Sequence, residues 1–320
     1  MLRRQDVGHR VVVRRIVGSR GGRTLFSDSL GELVALSETE LTIATSGGTV
    51  RVPLDEVHRA KRVPPTRRPT AADVIAAELA ANEAWPAPVQ ESQGGWLLRA
   101  AGGWTGRANS ALPIGDPDRP LPAAVDAVDA WYRAHDLPPR MNVPLPLAAP
   151  VNAELDARGW AVAPLVLFQT APVTAILEAA PERQDLPGVR HRDRITDDWL
   201  AVTAARKGTP PPVARQLLTA VPETAFLEVY GDEGTPIAIT RATVTGNGEW
   251  LGVSLVDVLP EHRRRGLGSH LVRAAARWGQ EVGARRAFLQ VEEQNTAAVA
   301  MYGRLGFGTH HTYLTRTAAS

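Results

Sequence analysis

Apolar and polar residues alternate over residues 251–258, the period of a strand, and over 269–282 the apolar positions recur at helical spacing. Between them lie two glycines, Gly266 and Gly268, so the pattern predicts strand, glycine-bearing turn, helix. A further strand (287–291) and a helix opened by Asn295 follow. Upstream, the same periodicities predict a strand at 189–192, helices at 196–206 and 213–218, and strands at 225–230 and 236–244.

The front of the chain has another rhythm. Short alternating runs at 9–17, 30–36, 40–45 and 49–54, separated by Gly/Ser/Thr clusters, predict a small all-β barrel over residues 1–63. Residues 61–69 (Lys-Arg-Val-Pro-Pro-Thr-Arg-Arg-Pro) are extended by their prolines and kept solvated by their charges, which places a linker at 64–70. Thr70 then caps a helix at 71–85 with Asp73 in its first turn and Val74, Ala77, Leu79 and Ala81 available for burial. A hairpin (96–100 and 105–112), a helix (123–135), a strand (140–143), a helix (151–158) and a strand (165–170) come next. This order echoes the C-terminal half: a shift of 147 residues lays Trp131 on Trp278, Ala153 on Ala300 and Gly159 on Gly306. The expected domains are therefore 1–63, 71–175 and 186–317.

Composition narrows the chemistry. The absence of cysteine from the 320 residues excludes disulfides, thiolate metal sites and a cysteine nucleophile. No run of 18 apolar residues is present, and the apolar N-terminal run is interrupted by Arg14 and Arg15, so neither a membrane span nor a signal peptide is expected. A soluble cytoplasmic protein is the expectation. Formal net charge is only +2, but residues 1–70 hold thirteen Lys/Arg against seven Asp/Glu, a basic front domain. Nucleic acid has little else in its favour as a partner, because Phe26 is the only aromatic residue before Trp85. His310 and His311 alternate along a strand and so should face opposite ways, which argues against a shared metal site.

The turn is where chemistry concentrates. The first turn of a helix leaves N–H groups without intrahelical partners and carries the positive end of the dipole, and glycines let backbone approach an anion closely. Arg263, Arg264 and Arg265 add charge to this phosphate cradle. Arg263-Arg264-Arg265-Gly266-Leu267-Gly268 reads R-x-x-G-x-G, and residues 291–307 read V-x-x-x-N-x-x-A-x-x-x-Y-x-x-x-G-F. The two motifs, in this order and spacing, resemble the GNAT superfamily of acyl-CoA-dependent N-acetyltransferases, whose β-α-α-β-β-β-α-β-α-β element order also matches residues 189–317.

The resemblance implies an α/β fold, a mixed twisted sheet in tandem GNAT-like units, with acetyl-CoA as co-substrate and an amine as acceptor. It implies that the backbone from Arg264 through Gly266, Leu267 and Gly268 to Ser269 holds the pyrophosphate, with Arg263 at the entrance. The strands at 251–258 and 287–291 would splay for the pantetheine arm, bringing Val256 and Val258 alongside it, with the Val258 N–H facing the thioester carbonyl. Asn295 opens the helix beside the cofactor. Tyr302, two turns further on the same face, would protonate the departing thiolate.

For a general base, the family's mid-strand carboxylate position falls on Gly252, which cannot serve. Glu249, Asp257 and Glu261 are the substitutes, and deprotonation through water or entry of a neutral amine stays open. In the first GNAT-like half the phosphate turn would fall at 114–121, where Asp116 and Asp118 repel phosphate and Pro117 and Pro120 lack N–H groups, and Leu155 stands for Tyr302. That half is expected to be a degenerate scaffold.

The phrase Gly47-Gly48-Thr49-Val50-Arg51-Val52-Pro53-Leu54-Asp55-Glu56-Val57 resembles Src-homology-3-like barrels, with a structural or a partner-binding role. The acceptor pocket is expected from the 207–212 loop, residues 309–313 and the first half, with protein lysine or N-terminus, aminoglycoside, amino acid and polyamine all open. The rival to an N-acetyltransferase is an acyl-CoA sensor or interaction module.

Overall fold

The computed structural model describes residues 2–45, 48–63 and 69–319. Positions 46–47 of the expected turn and 64–68 of the expected linker lie outside the described residues. Two compact units result, Met1–Arg68 and Pro69–Ser320.

The first unit is an antiparallel sheet of β1 (Arg10–Arg20), β2 (Arg23–Leu36), β3 (Glu40–Thr45), β4 (Gly48–Pro53) and β5 (Val57–Arg62), in the order β4-β3-β2-β1-β5. Val11, Val13, Leu33, Leu41, Ile43 and Val52 form its core. Two elements differ from expectation. Strand β2 starts seven residues early because β1 and β2 continue their ladder to Arg20–Arg23, beyond the core, where Leu25 and Phe26 are exposed and alternation carries no signal. Residues 57–62, where no strand is expected, pair with β1 as β5.

In the second unit α1 (Ala71–Ala84) is capped by Thr70, whose hydroxyl accepts from Asp73 N–H while Asp73 accepts the Thr70 N–H, a reciprocal box worth about 1 kcal/mol. Leu79 is exposed, and Glu78 is buried in its stead. Next come β6 (Val89–Gln93), β7 (Trp96–Ala100), β8 (Leu112–Pro113), α2 (Leu121–Ala134), β9 (Arg140–Leu145), α3 (Ala149–Ala157), β10 (Ala161–Val162), β11 (Val166–Pro172) and α4 (Val173–Ala179). The expected hairpin is corrected: β7 pairs with β6 before it as well as with β8, and most of 105–111 is a loop with one short helical turn. The remainder is β12 (Val189–Arg192), α5 (Asp197–Lys207), α6 (Pro212–Thr219), β13 (Thr224–Tyr230), β14 (Pro236–Thr245), β15 (Trp250–Val258), α7 (Leu267–Glu281), β16 (Arg286–Glu292), α8 (Thr296–Arg304) and β17 (Gly308–Thr317).

The two sequence halves share one sheet, in the order β10-β17-β11-β16-β15-β14-β13-β12 with β9 also on β17. Strand β11, from the first half, lies between β16 and β17 of the second. Neither half therefore completes its sheet alone. Helices α4 and α7 cover one face, with Val173, Ile176, Leu271 and Ala275 against Leu251, Val253, Ala287 and Leu289. On the other face α1 packs its alanines on Phe168, Trp250 and Phe288, and α5 and α6 pack Trp199 and Leu217 on Phe226 and Ile239. Among the described residues no helix is long and apolar enough to cross a membrane.

Candidate active site

Strand β15 changes partners along its length. Its parallel pairing with β16 covers only Trp250–Gly252 against Arg286–Phe288, whereas β16 stays on β11 from Arg286 to Glu292 and β15 stays on β14 to Val258. The two strands therefore part after Gly252. A bulge lies at the parting point: the register with β14 slips by one residue between Ser254 and Asp257, and Leu255 takes a left-handed φ of 53°. Thr240 braces it by donating its hydroxyl to Ser254 O at 3.0 Å. Beyond the bulge Leu259 donates its N–H to Ile237 O. Antiparallel alternation then turns the Val258 N–H away from β14, toward the side that β16 has left.

At the end of β15 the chain makes the glycine turn. Arg263 Nε donates to Val258 O at 3.1 Å, tying the turn to the strand. Arg264 (φ 61°) and Gly266 (φ 90°) are left-handed on either side of Arg265, and α7 begins at Leu267 with no side chain capping its first N–H groups. Such alternation turns backbone N–H groups into a concave, anion-favouring nest at the positive end of a helix. Gly268 lies close under α8, a Cβ there falling 2.9 Å from Met301 Sδ. Arg263, Arg264 and Arg265 are exposed, and Arg265 reaches His262 Nδ1 at 3.1 Å.

A residue missed in the sequence also stands here. A Cβ on Gly266 would lie 2.8 Å from Arg183 Nη1, so the Arg183 guanidinium covers the turn. Arg183 is held by a two-pronged pair with Asp185 at 2.6 and 2.5 Å, which holds the Asp185 carboxyl down at about 2. His270 Nε2 meets Pro187 O and anchors the same connector to α7. The connector has no periodicity, so nothing in the sequence marks Arg183.

Helix α8 starts at Asn295, whose side chain accepts the Ala298 N–H at 3.3 Å. Tyr302 is buried edge-to-face on Phe307 and belongs to the same packed cluster as Leu267, with Val256, Val258 and Met301 against it. A Cβ on Gly268 would lie 2.9 Å from Met301 and 3.9 Å from Val256, and Arg263 holds Val258 O, so the turn stands against Val256 and Val258, with Tyr302 next to Met301 in α8. Glu249 does not join them. It is exposed ahead of β15, where its carbonyl accepts from Arg285 and Arg286, and at about 3.3 Å per residue the strand puts it roughly 25–30 Å from Val258. Gly252 has no room for a side chain: a Cβ would lie 2.8 Å from Phe288, 2.9 Å from Thr243 Oγ1 and 3.2 Å from Ala84. Asp257 is buried and Glu261 is exposed within the turn.

The two histidines do not diverge as expected. A register shift in the β11–β17 ladder brings His310 Nδ1 within 2.9 Å of His311 Nδ1, and His311 Nε2 meets Glu78 of α1 at 2.8 Å. Burial and the neighbouring His311 push the His310 pKa down. Phe168 stacks on His311 at 4.4 Å, inside the core. Among the described residues no group of three or more His, Asp or Glu is placed to hold a metal ion.

The first half packs against the bulged end of β15. Asn109 organises the loop after β7, its Oδ1 accepting from Ala101 and Gly103 and its Nδ2 donating to Trp104 O and Thr105 O. The loop holds Trp104 stacked on Trp85 at 5.7 Å, and both pack in one cluster with Leu255 and Leu259 of the bulged strand. Tyr313 of β17 donates to Gln290 Oε1 at 3.3 Å, on the part of β16 that has left β15.

Comparison with known proteins agrees with this geometry. The family model described as "Probable histone acetyltransferase Rv0428c C-terminal" matches residues 71–315. The probable histone acetyltransferase Rv0428c of Mycobacterium tuberculosis is 31% identical over 316 residues, covering 95% of this chain and 93% of that protein. The uncharacterized N-acetyltransferase YobR of Bacillus subtilis is 27% identical over 253 residues, 76% of this chain and 99% of its own. Among solved structures, a GCN5-related N-acetyltransferase from Kribbella flavida superposes with a TM-score of 0.60 at 20% identity, over 78% of this chain and 96% of the other. A tandem GNAT protein from the clavulanic acid biosynthesis pathway gives 0.50 at 18% identity, over 62% and 70%.

Proposed function

The chain belongs to the Rv0428c C-terminal family of GCN5-related N-acetyltransferases and is an acyltransferase, and on that premise we propose that the gap between β15 and β16 takes acetyl-CoA and delivers its acetyl group to a primary amine by direct attack. The observation that carries this reading is the parting of the two strands after Gly252, with the uncapped start of α7 at the mouth of the gap. Acetyl-CoA supplies the acyl group already activated as a thioester.

The backbone of Arg264 to Ser269 binds the pyrophosphate, and Arg263 adds positive charge at its edge. The Val258 N–H donates to the thioester oxygen, a bond that strengthens as negative charge develops there. Tyr302 gives its proton to the leaving thiolate; a phenol with an ordinary pKa near 10 is well matched to a thiol near 8.5. Asn295 fixes the start of the helix that carries Tyr302. With Gly252 filled by Ala84 and Phe288, no side chain takes the mid-strand base position, and the amine enters neutral or loses its proton to water. We read residues 71–175 as a degenerate GNAT-like half that completes the sheet and walls the cleft, 186–317 as the catalytic half, and residues 1–63 as an Src-homology-3-like barrel.

The test is CoA release from acetyl-CoA across a panel of amines, beside Tyr302→Phe and calorimetric binding of acetyl-CoA. Turnover should fall by about 10²- to 10⁴-fold in Tyr302→Phe with acetyl-CoA affinity retained. Binding without turnover on any amine would replace the enzyme reading of this site by that of an acyl-CoA sensor.

A further inference from the structure

Three guanidinium groups, those of Arg99, Arg107 and Arg241, gather around the Trp85–Trp104 stack, and among the described residues none of them is ion-paired to a carboxylate. Arg241 is fully buried; its Nε donates to Leu218 O and its Nη1 to Ala84 O, both at 2.8 Å, but its Nη2 has no partner. Arg99 is also buried and donates to Ser110 O, Ser110 Oγ and Asn82 Oδ1. Arg107 has a buried Nε without a partner, and both Arg107 and Arg241 lie over the Trp85 ring, at 5.7 and 5.5 Å. Burial first, and then Arg107, push Arg241 down to about 9, and burial pushes Arg99 down as well. The region therefore holds positive charge that the described residues do not neutralise. Glu78, the acid that acts on Arg99, is engaged by His311. Burying an uncompensated charge is costly, and such a cost is characteristic of sites that complete their pairing with a ligand.

Only one of the three reaches the cleft. Arg107 is half-buried on the loop after β7, within electrostatic reach of Tyr313, which bonds Gln290 on the divergent part of β16. Arg99 and Arg241 stand behind it and act through their field. Resting on the acetyl-transfer reading of this cleft, we propose that the acceptor is an amine that also carries a carboxylate, and that Arg107 binds this carboxylate. A planar guanidinium suits a carboxylate, taking it in two parallel hydrogen bonds. A lysine-rich acceptor segment would instead bring further positive charge against three arginines.

The experiment uses the whole chain saturated with CoA, which holds the pyrophosphate site without permitting turnover. Linear ω-amino acids of about two to six carbons are titrated by calorimetry, each beside its carboxamide, into wild type, Arg107→Gln and Arg107→Lys; this length range brackets the reach of an arginine side chain across a small pocket. CoA affinity, measured first, reports that each variant is folded. At one length or more, the acid should bind wild type about tenfold tighter than the amide, with the preference falling to about twofold or less in Arg107→Gln and partly recovering in Arg107→Lys. Acids and amides binding alike, neither binding at any length, or a preference surviving in Arg107→Gln would each overturn the carboxylate assignment while leaving the acetyl-CoA site intact. Failure of wild type to bind CoA would overturn both readings together.

Discussion

The unit from Pro69 to Ser320 contains a strand-turn-helix passage twice, and among the described residues the two turns differ in which backbone donors are already bonded. In the second, Gly266 leads α7 in a left-handed conformation and no side chain caps the helix start. In the first, Pro120 precedes α2, the Asp118 N–H is already bonded to Asp116 Oδ1, and the Gly95 N–H of the β6–β7 hairpin closes on Asp116 O at 2.5 Å. Where Tyr302 stands in one helix, Leu155 fills the core in the other. A phosphate site is thus defined less by a helix start than by donors left unbonded and open. The half with the closed turn still contributes β11 to the middle of the shared sheet.

That contrast can be broken most severely at Gly252. Gly252→Asp, which would restore a carboxylate at the family's position, forces it onto Phe288, Thr243 and Ala84; about 3–5 kcal/mol of stability should be lost, read from the denaturant midpoint at unchanged m. Next is Gly268→Val, which pushes α8 off the turn through Met301. Acetyl-CoA affinity should weaken by about 10- to 100-fold, measured by calorimetry.

The scaffold half has its own signature at high pH. Burial pushes the Tyr132 phenol up to about 12, against an ordinary value near 10 in the unfolded chain. The folded state then keeps a proton that the unfolded chain releases, so this stabilisation is full below pH 10 and is lost as pH rises from about 10 to 12, at up to about 1.4 kcal/mol per pH unit. Denaturant melts at stepped pH should show the loss, and Tyr132→Phe should flatten it. The smallest effect is expected at the closed turn: Asp116→Asn should change acetyl-CoA affinity by no more than about twofold, since a turn closed by Gly95 has no anion to gain.

Legibility in the sequence followed the range of the interactions. The motifs of the open turn and of α8 are local: glycine for a left-handed cap, asparagine for a helix start, a tyrosine two turns on. All of these can be read from spacing alone. The bulge at Leu255, the insertion of β11 between β16 and β17, and the Glu78–His311–His310 contact depend on which strands meet, and a single sequence carries no such information. Glu249 was a candidate because it is near Gly252 in number, but a strand separates its ends by its full length. Arg183 and Arg107 sit on segments without periodicity, and their significance appears only when the turn and the cleft are seen around them.

The most direct measurement is the stoichiometry of acetyl-CoA binding by calorimetry, in wild type and in Gly266→Val, a substitution strained by the φ of 90° at that residue. One molecule bound per chain, and none detectable in a Gly266→Val protein that still melts cooperatively, is the predicted result. Two molecules per chain, or binding unaffected by Gly266→Val, would contradict the assignment of the chemistry to the second turn alone.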